Sequence, residues 1–92
     1  MRNNTLKINE RDNVVIATSD IKKGEAVILN GENLVNAVED IAAGHKIALT
    51  RIQTGEKVFR YGEVIVQATQ PIERGEWVHV HNSKPVPGEM TE

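Results

Sequence analysis

Ile21-Lys22-Lys23-Gly24-Glu25-Ala26-Val27 is a phrase that this chain uses four times. It returns as Ile41-Ala42-Ala43-Gly44-His45-Lys46-Ile47, as Ile52-Gln53-Thr54-Gly55-Glu56-Lys57-Val58 and as Ile72-Glu73-Arg74-Gly75-Glu76-Trp77-Val78. Each copy reads as a turn that feeds a strand. The isoleucine anchors in the core, two exposed residues round the bend, and the glycine takes a positive φ before the next strand. The isoleucines stand 20, 11 and 20 residues apart. That symmetric spacing implies a longer repeat of 31, and aligning 16–44 with 47–75 gives 12 identities in 29 positions. Chance at this composition gives roughly two. Six of the seven glycines fall into the matched pairs. The chain therefore reads as a pseudo-two-fold duplication of a unit of about 31 residues.

The units read as β. Val14 to Ala17, Ala26 to Leu29, Lys46 to Leu49, Lys57 to Arg60, Glu63 to Ala68 and Glu76 to His81 are short β-prone runs, with turn signals between them. Asn30-Gly31 is a hairpin signal of the type I′ kind, and Tyr61-Gly62 holds the equivalent place in the second unit. Leu34 to Ile41 is compatible with a helical turn, but its match to Ile65–Ile72 favours strand followed by turn. Little helix is expected. The organisation is a single domain over 1–84, with units at about 14–44 and 45–75 and a closing strand over 76–82. Pro85, Pro87 and Gly88 make 85–92 a flexible tail.

Composition bounds the function. Ninety-two residues with 39% hydrophobic and 26% charged side chains describe one small domain with an aliphatic core, since aromatics are 3%. There is no cysteine, so disulfides and thiolate metal sites are excluded. A net charge of −2, with basic residues dispersed among acids, argues against nucleic acid as partner. No apolar run approaches the roughly 20 residues of a membrane span. Met1 to Lys7 lacks the apolar stretch of a signal peptide, so a cytoplasmic location is expected.

The residues that the repeat does not explain form a short list. His79-Val80-His81 is the sharpest. On a strand, i and i+2 point the same way, which places Trp77, His79 and His81 on one face and Val78 and Val80 on the other. Such a pair is either two exposed strand histidines or a shared metal-binding or polar surface with an incomplete shell. His45 replaces the Glu that the other three copies carry, and Lys46 follows it. The pair reads as a solvated turn, or as a proton-transfer group beside a cation for a carboxylate. Arg60 and Tyr61 offer an anion-binding fork and a hydroxyl at a tight turn, or a surface Arg and a packing ring. Asn82 ends the histidine strand as a pocket residue or a cap. Glu25, Glu56 and Glu76 recur with the fold and read as structural. Trp77 on an outward face makes a homo-oligomer plausible.

Three segments carry a resemblance: Gly44-His45-Lys46-Ile47-Ala48-Leu49, Arg60-Tyr61-Gly62-Glu63-Val64-Ile65, and Glu76-Trp77-Val78-His79-Val80-His81-Asn82. In this order and spacing they resemble the SAF-type β-clip domain of altronate and galactarate dehydratases, and the related small subunit of sulfolactate sulfo-lyase. Arg51 stands where those proteins commonly carry Asp, and Val66 where they carry Gly. The resemblance implies a mainly β, SAF-like fold. It implies a small subunit or N-terminal domain of a lyase that eliminates water, or sulfite, β to the carboxylate of a hydroxy acid. It also implies a divalent metal, typically iron, held mainly by a larger catalytic subunit or domain. His45, His79 and His81 are then the catalytic candidates, with His79 and His81 as metal candidates. Lys46, Arg60, Tyr61 and Asn82 are the substrate-binding candidates. The alternatives are a non-catalytic module that binds a sugar acid or a partner, and a stand-alone metal-binding protein.

Overall fold

Each copy of the repeated phrase closes the same turn in the computed structural model, which describes residues 3–7, 9–60, 63–79 and 81–85, with only the backbone at 60 and 63–65. The backbone N–H of the fifth residue donates to the carbonyl of the second: Glu25 to Lys22, His45 to Ala42, Glu56 to Gln53 and Glu76 to Glu73, at 2.9–3.2 Å. The glycine before it has φ between 86° and 91° in all four, a region an L side chain adopts only with strain. Three copies add a second tie. Glu25, Glu56 and Glu76 each accept the backbone N–H of the second residue on Oε1, at 2.6, 2.6 and 2.8 Å. The recurring glutamates are therefore turn caps, and His45 stands where the fourth cap would be.

The turns feed nine strands: β1 (Thr5–Leu6), β2 (Val14–Ala17), β3 (Ala26–Leu29), β4 (Glu32–Asn36), β5 (Lys46–Ala48), β6 (Lys57–Arg60), β7 (Glu63–Ala68), β8 (Trp77–Val78) and β9 (Ser83–Pro85). All ladders are antiparallel, and no helix occurs among the described residues. The chain is mainly β, as its sequence pattern implies. The sheets run β1-β2-β5-β8, β3-β4 and β6-β7-β9. Asn30 and Gly31 join β3 to β4 with φ of 53° and 79°, the two positive values that a type I′ turn needs.

Short strands make the core two-sided. In the central sheet Val14 faces Ala48, and Val15 faces Ile47. Side chains alternate across the sheet, so the two pairs leave by opposite faces. One face joins Ile52, Val58, Ala68, Ile72 and Val78; the other joins Ala17, Ile21, Val27, Ala37, Ile41 and Ile47. Within each half the turns clasp back to back. Ile21 and Ile41 exchange both backbone hydrogen bonds at 2.8 and 2.7 Å, and Ile52 and Ile72 do the same at the same distances. These four isoleucines are at most 2% exposed. Burial of each side chain is worth about 1.5–3 kcal/mol, so the turns are pinned from inside.

Three asparagines perform one further task. The hairpins carry a bulge between Val27 and Ile28 and between Val58 and Phe59. A bulge leaves main-chain groups without a ladder partner. Asn4 donates to the Ala26 carbonyl and accepts from the Ile28 N–H, both at 2.8 Å. Asn13 does the same for Lys57 and Phe59, at 3.0 and 2.8 Å. Asn82 donates to the Trp77 carbonyl at 2.8 Å and accepts from the His79 N–H at 3.0 Å. A carboxamide, with a donor and an acceptor on one plane, suits a carbonyl and an N–H two residues apart.

The closing segment differs from its expected form. Strand β8 ends at Val78, and a turn follows in which the Asn82 N–H donates to the His79 carbonyl at 3.1 Å. Asn82 draws the chain into this turn by satisfying Trp77 and His79 from inside, so a continuous strand over 76–82 cannot form. Strand β9 then pairs with β7 through Pro85, where the tail was expected to begin. Residues 86–92 lie outside the described residues, as does Tyr61. No helix of the described residues is long and apolar enough to cross a membrane.

Candidate functional site

Pairing of β5 with β8 builds the site. Ile47 stands opposite Trp77, and Lys46 opposite Val78. His45, one residue before β5, is thereby delivered to the indole of Trp77. Trp77 Nε1–H donates to His45 Nδ1 at 2.9 Å, and the rings meet edge-on with centroids 5.2 Å apart. His79 stacks on the same indole at 4.8 Å and 12° between planes, and His81 lies against it at 5.1 Å and 43°. The rings of His45 and His79 are 5.4 Å apart. All three histidines are gathered on one tryptophan.

The gathering does not come from strand alternation. His79 follows the last residue of β8, and the turn swings His81 back onto Trp77. The His79 carbonyl is held twice in that turn, by the Asn82 N–H and by the Ser83 hydroxyl at 2.6 Å. The Trp77 main chain is held as well, its N–H donating to Glu39 Oε2 at 3.1 Å. Trp77 is half-buried, packed on one side against Ile47 and its neighbours.

A cavity of about 250 Å³ opens beside His45 and Trp77. Ile21, Ile41 and Ala42 give it an apolar lining, and Asp20, Lys22 and Asp40 carry its charges. Each aspartate is fixed by the opposite turn: Asp20 Oδ1 accepts from the Ala43 N–H at 2.9 Å, and Asp40 Oδ1 from the Lys23 N–H at 2.8 Å. Neither aspartate nor Lys22 is among the candidates that the sequence motifs single out. Their signal was present, since only the first two copies of the phrase are preceded by Asp.

The remaining candidates fall elsewhere. Lys46 lies on β5 in register with Ile16 and Val78, and by alternation faces away from the Ile47 and Trp77 side. The lysine at the cavity is Lys22. Arg60 ends β6 in the β6-β7-β9 sheet, opposite Glu63, and its side chain is not among those described. Asn82 is 0% exposed with both amide ends on backbone, so its geometry is that of a turn clamp.

These features define a class: a small antiparallel β domain whose repeated turns present a histidine cluster and a pocket at one end. The chain belongs to the altronate/galactarate dehydratase SAF domain family, whose profile it matches over residues 3–85. It is 43% identical over 79 residues to altronate dehydratase of Bacillus subtilis (strain 168), and 39% identical over 79 residues to altronate dehydratase of Escherichia coli (strain K12). Each alignment covers 86% of this chain, which spans 16% of the length of these curated relatives.

Proposed function

We propose that this domain forms one wall of a composite active site in a cytoplasmic hydro-lyase acting on a sugar acid such as altronate or galactarate. The observation that carries the reading is the convergence of His45, His79 and His81 on Trp77 beside a pocket, in a chain similar to altronate dehydratases. Elimination β to a carboxylate needs a base for the α-proton, stabilisation of an enolate-like intermediate, and help for the leaving hydroxyl. The histidines supply polar or acid/base groups. Lys22 is the cation at the cavity, and the Asp20 and Asp40 carboxylates offer acceptors for substrate hydroxyls.

The described residues contain no group of three or more His, Cys, Asp or Glu side chains placed to hold a metal. His45 Nδ1 is already an acceptor for the indole. These side chains do not fit a divalent metal, iron included, as its principal shell. In this reading a larger catalytic region of the lyase holds the metal and most of the site.

Mixing the purified chain with the large region of a family dehydratase tests the reading. The expected result is altronate or galactarate dehydration by the mixture, none by the chain alone, and loss of activity in the His79→Ala, His81→Ala double variant. Robust turnover by the chain alone would refute the composite site. Sugar-acid binding by the chain, with no effect of the double variant on the partner's catalysis, would instead favour a binding module.

A further inference from the structure

The indole of Trp77 has an N–H and no lone pair to offer, so it can only donate. Its partner at 2.9 Å, Nδ1 of His45, must therefore present a lone pair. A neutral imidazole divides its roles between two nitrogens, which leaves the proton on Nε2. An imidazolium would set two N–H groups head to head and break the contact. The ring has little freedom to escape this arrangement. Trp77 is fixed by Ile47 across the ladder, by Glu39 and Asn82 on its main chain, and by the stacked ring of His79.

We propose that His45 is a fixed, neutral hydrogen-bond donor through Nε2, that Trp77 is the positioning residue holding it in that tautomer, and that the donor takes a hydroxyl or carboxylate oxygen of a polar ligand. That the oxygen belongs to a hydroxy acid rests on the function proposed above; the tautomer does not. A ring so held is no proton shuttle. Its lone pair sits on the nitrogen tied to the indole, and loss of the Nε2 proton would leave an imidazolate. What it can do is stabilise an oxygen that gains negative charge, as a preorganised donor. Proton transfer then falls to His79, to His81 or to groups outside this chain.

Nitrogen-15 NMR of the 92-residue chain at neutral pH tests the tautomer without any ligand. The expected spectrum has His45 protonated on Nε2 and bare on Nδ1, with a Trp77 indole proton that exchanges slowly with water. His45→Gln retains an oxygen for the indole and an N–H for a ligand, so the indole proton stays protected. His45→Ala speeds its exchange by about tenfold. Trp77→Phe keeps an aromatic ring, removes the N–H, and releases His45 into a mixture of tautomers. A wild-type His45 protonated on Nδ1, or equal indole exchange in the Gln and Ala variants, overturns the proposal even if Trp77→Phe fails to fold. In a dehydratase assembled with this chain, activity kept by His45→Gln and lost by His45→Ala is expected, and equal loss in both overturns the donor role. An assembly with no sugar-acid turnover at all removes the proposed function and leaves the spectrum to decide the tautomer.

Discussion

The turn pair at Ile21 and Ile41 and the turn pair at Ile52 and Ile72 share their backbone bonds but differ in what surrounds them. At the first pair, Asp20 and Asp40 each tie off the tip of the opposite turn, and a cavity lies between them under His45 and Trp77. At the second, the positions before the isoleucines are Arg51 and Pro71. Arg51 pairs with Glu73 at 2.9 Å, and Arg74 reaches across to the carbonyls of Leu49 and Leu34. Glu76 caps its own turn, whereas its counterpart His45 turns to the indole. The repeated backbone is common to both pairs, and the histidine cluster forms where one copy drops a residue that caps the other three.

Gly44 and Gly75 occupy equivalent places but have unlike surroundings. A Cβ on Gly44 meets nothing within 4 Å, whereas one on Gly75 would lie 2.8 Å from the Asn36 carbonyl oxygen. Alanine at Gly44 pays only for its positive φ, about 1–2 kcal/mol. Alanine at Gly75 adds the displacement of a backbone atom, and about 3 kcal/mol or more of stability is expected to go. Urea unfolding of both variants measures this. Equal losses would mean that the β4 end near Asn36 yields freely.

Asn82 and Asn13 make matching pairs of bonds to backbone, but Asn82 is fully buried and Asn13 only partly so. Asn82→Ala strands a carbonyl and an N–H that a fully buried amide satisfies, at an expected cost of about 2–3 kcal/mol. Asn13→Ala, at a partly buried site, is expected to cost about 1 kcal/mol. The Asn82 variant should also disturb the fluorescence of the single tryptophan, because it frees the turn that carries His79 and His81. An unchanged spectrum would show that the rings hold one another without the clamp.

How far such contrasts could be read in advance depends on the range of the signal. The turns, five of the strands and the Asn30-Gly31 hairpin follow from local chemistry: a β-branched run, a glycine needing positive φ, an Asn-Gly pair. The anomaly of His45 was visible as well, because three glutamates define what the position normally does. What stayed hidden is carried by long-range contacts. Asn4 and Asn13 serve equivalent bulges, and Asn82 a turn, from unequal places in the chain, so no spacing announces them. The turn at His79–Asn82 mimics a strand in composition, and its bend is held by the buried amide of Asn82 and by the Ser83 hydroxyl. Asp20 and Asp40 stand out as the residues before only two of the four phrases, but their bonds to the opposite turn appear once the two turns are placed back to back.

Restoring the repeat's residue at the odd position probes the same trade. His45→Glu supplies a carboxylate that can accept the Ala42 N–H as Glu25, Glu56 and Glu76 do in their own turns. It removes the Trp77 bond and adds charge beside Asp20 and Asp40. One net hydrogen bond of about 1 kcal/mol is gained and one lost, so thermal stability should move by less than about 1 kcal/mol. The site should nonetheless be lost, seen as a tryptophan indole proton open to exchange. A large destabilisation would mean that the histidine cluster, and not the turn, holds this end together.

The smallest effect is expected at the other end. The side chains of Arg51 and Glu73 are 53% and 56% exposed, so water and salt screen their attraction and both must be ordered to meet. Arg51→Ala should cost no more than about 0.5 kcal/mol, with little dependence on ionic strength. Asp20→Ala removes a hydrogen bond from a charged acceptor to the Ala43 N–H and should cost about 1–2 kcal/mol. If Arg51 proved the costlier loss, the two ends would owe their stability to different residues than their geometry implies: the Ile52 and Ile72 pair would need its surface ion pair, and the aspartates at the Ile21 and Ile41 pair would be free for a ligand. The expected order instead makes those aspartates serve both scaffold and pocket. That leaves the first end the less tolerant of change at the very positions a ligand would contact.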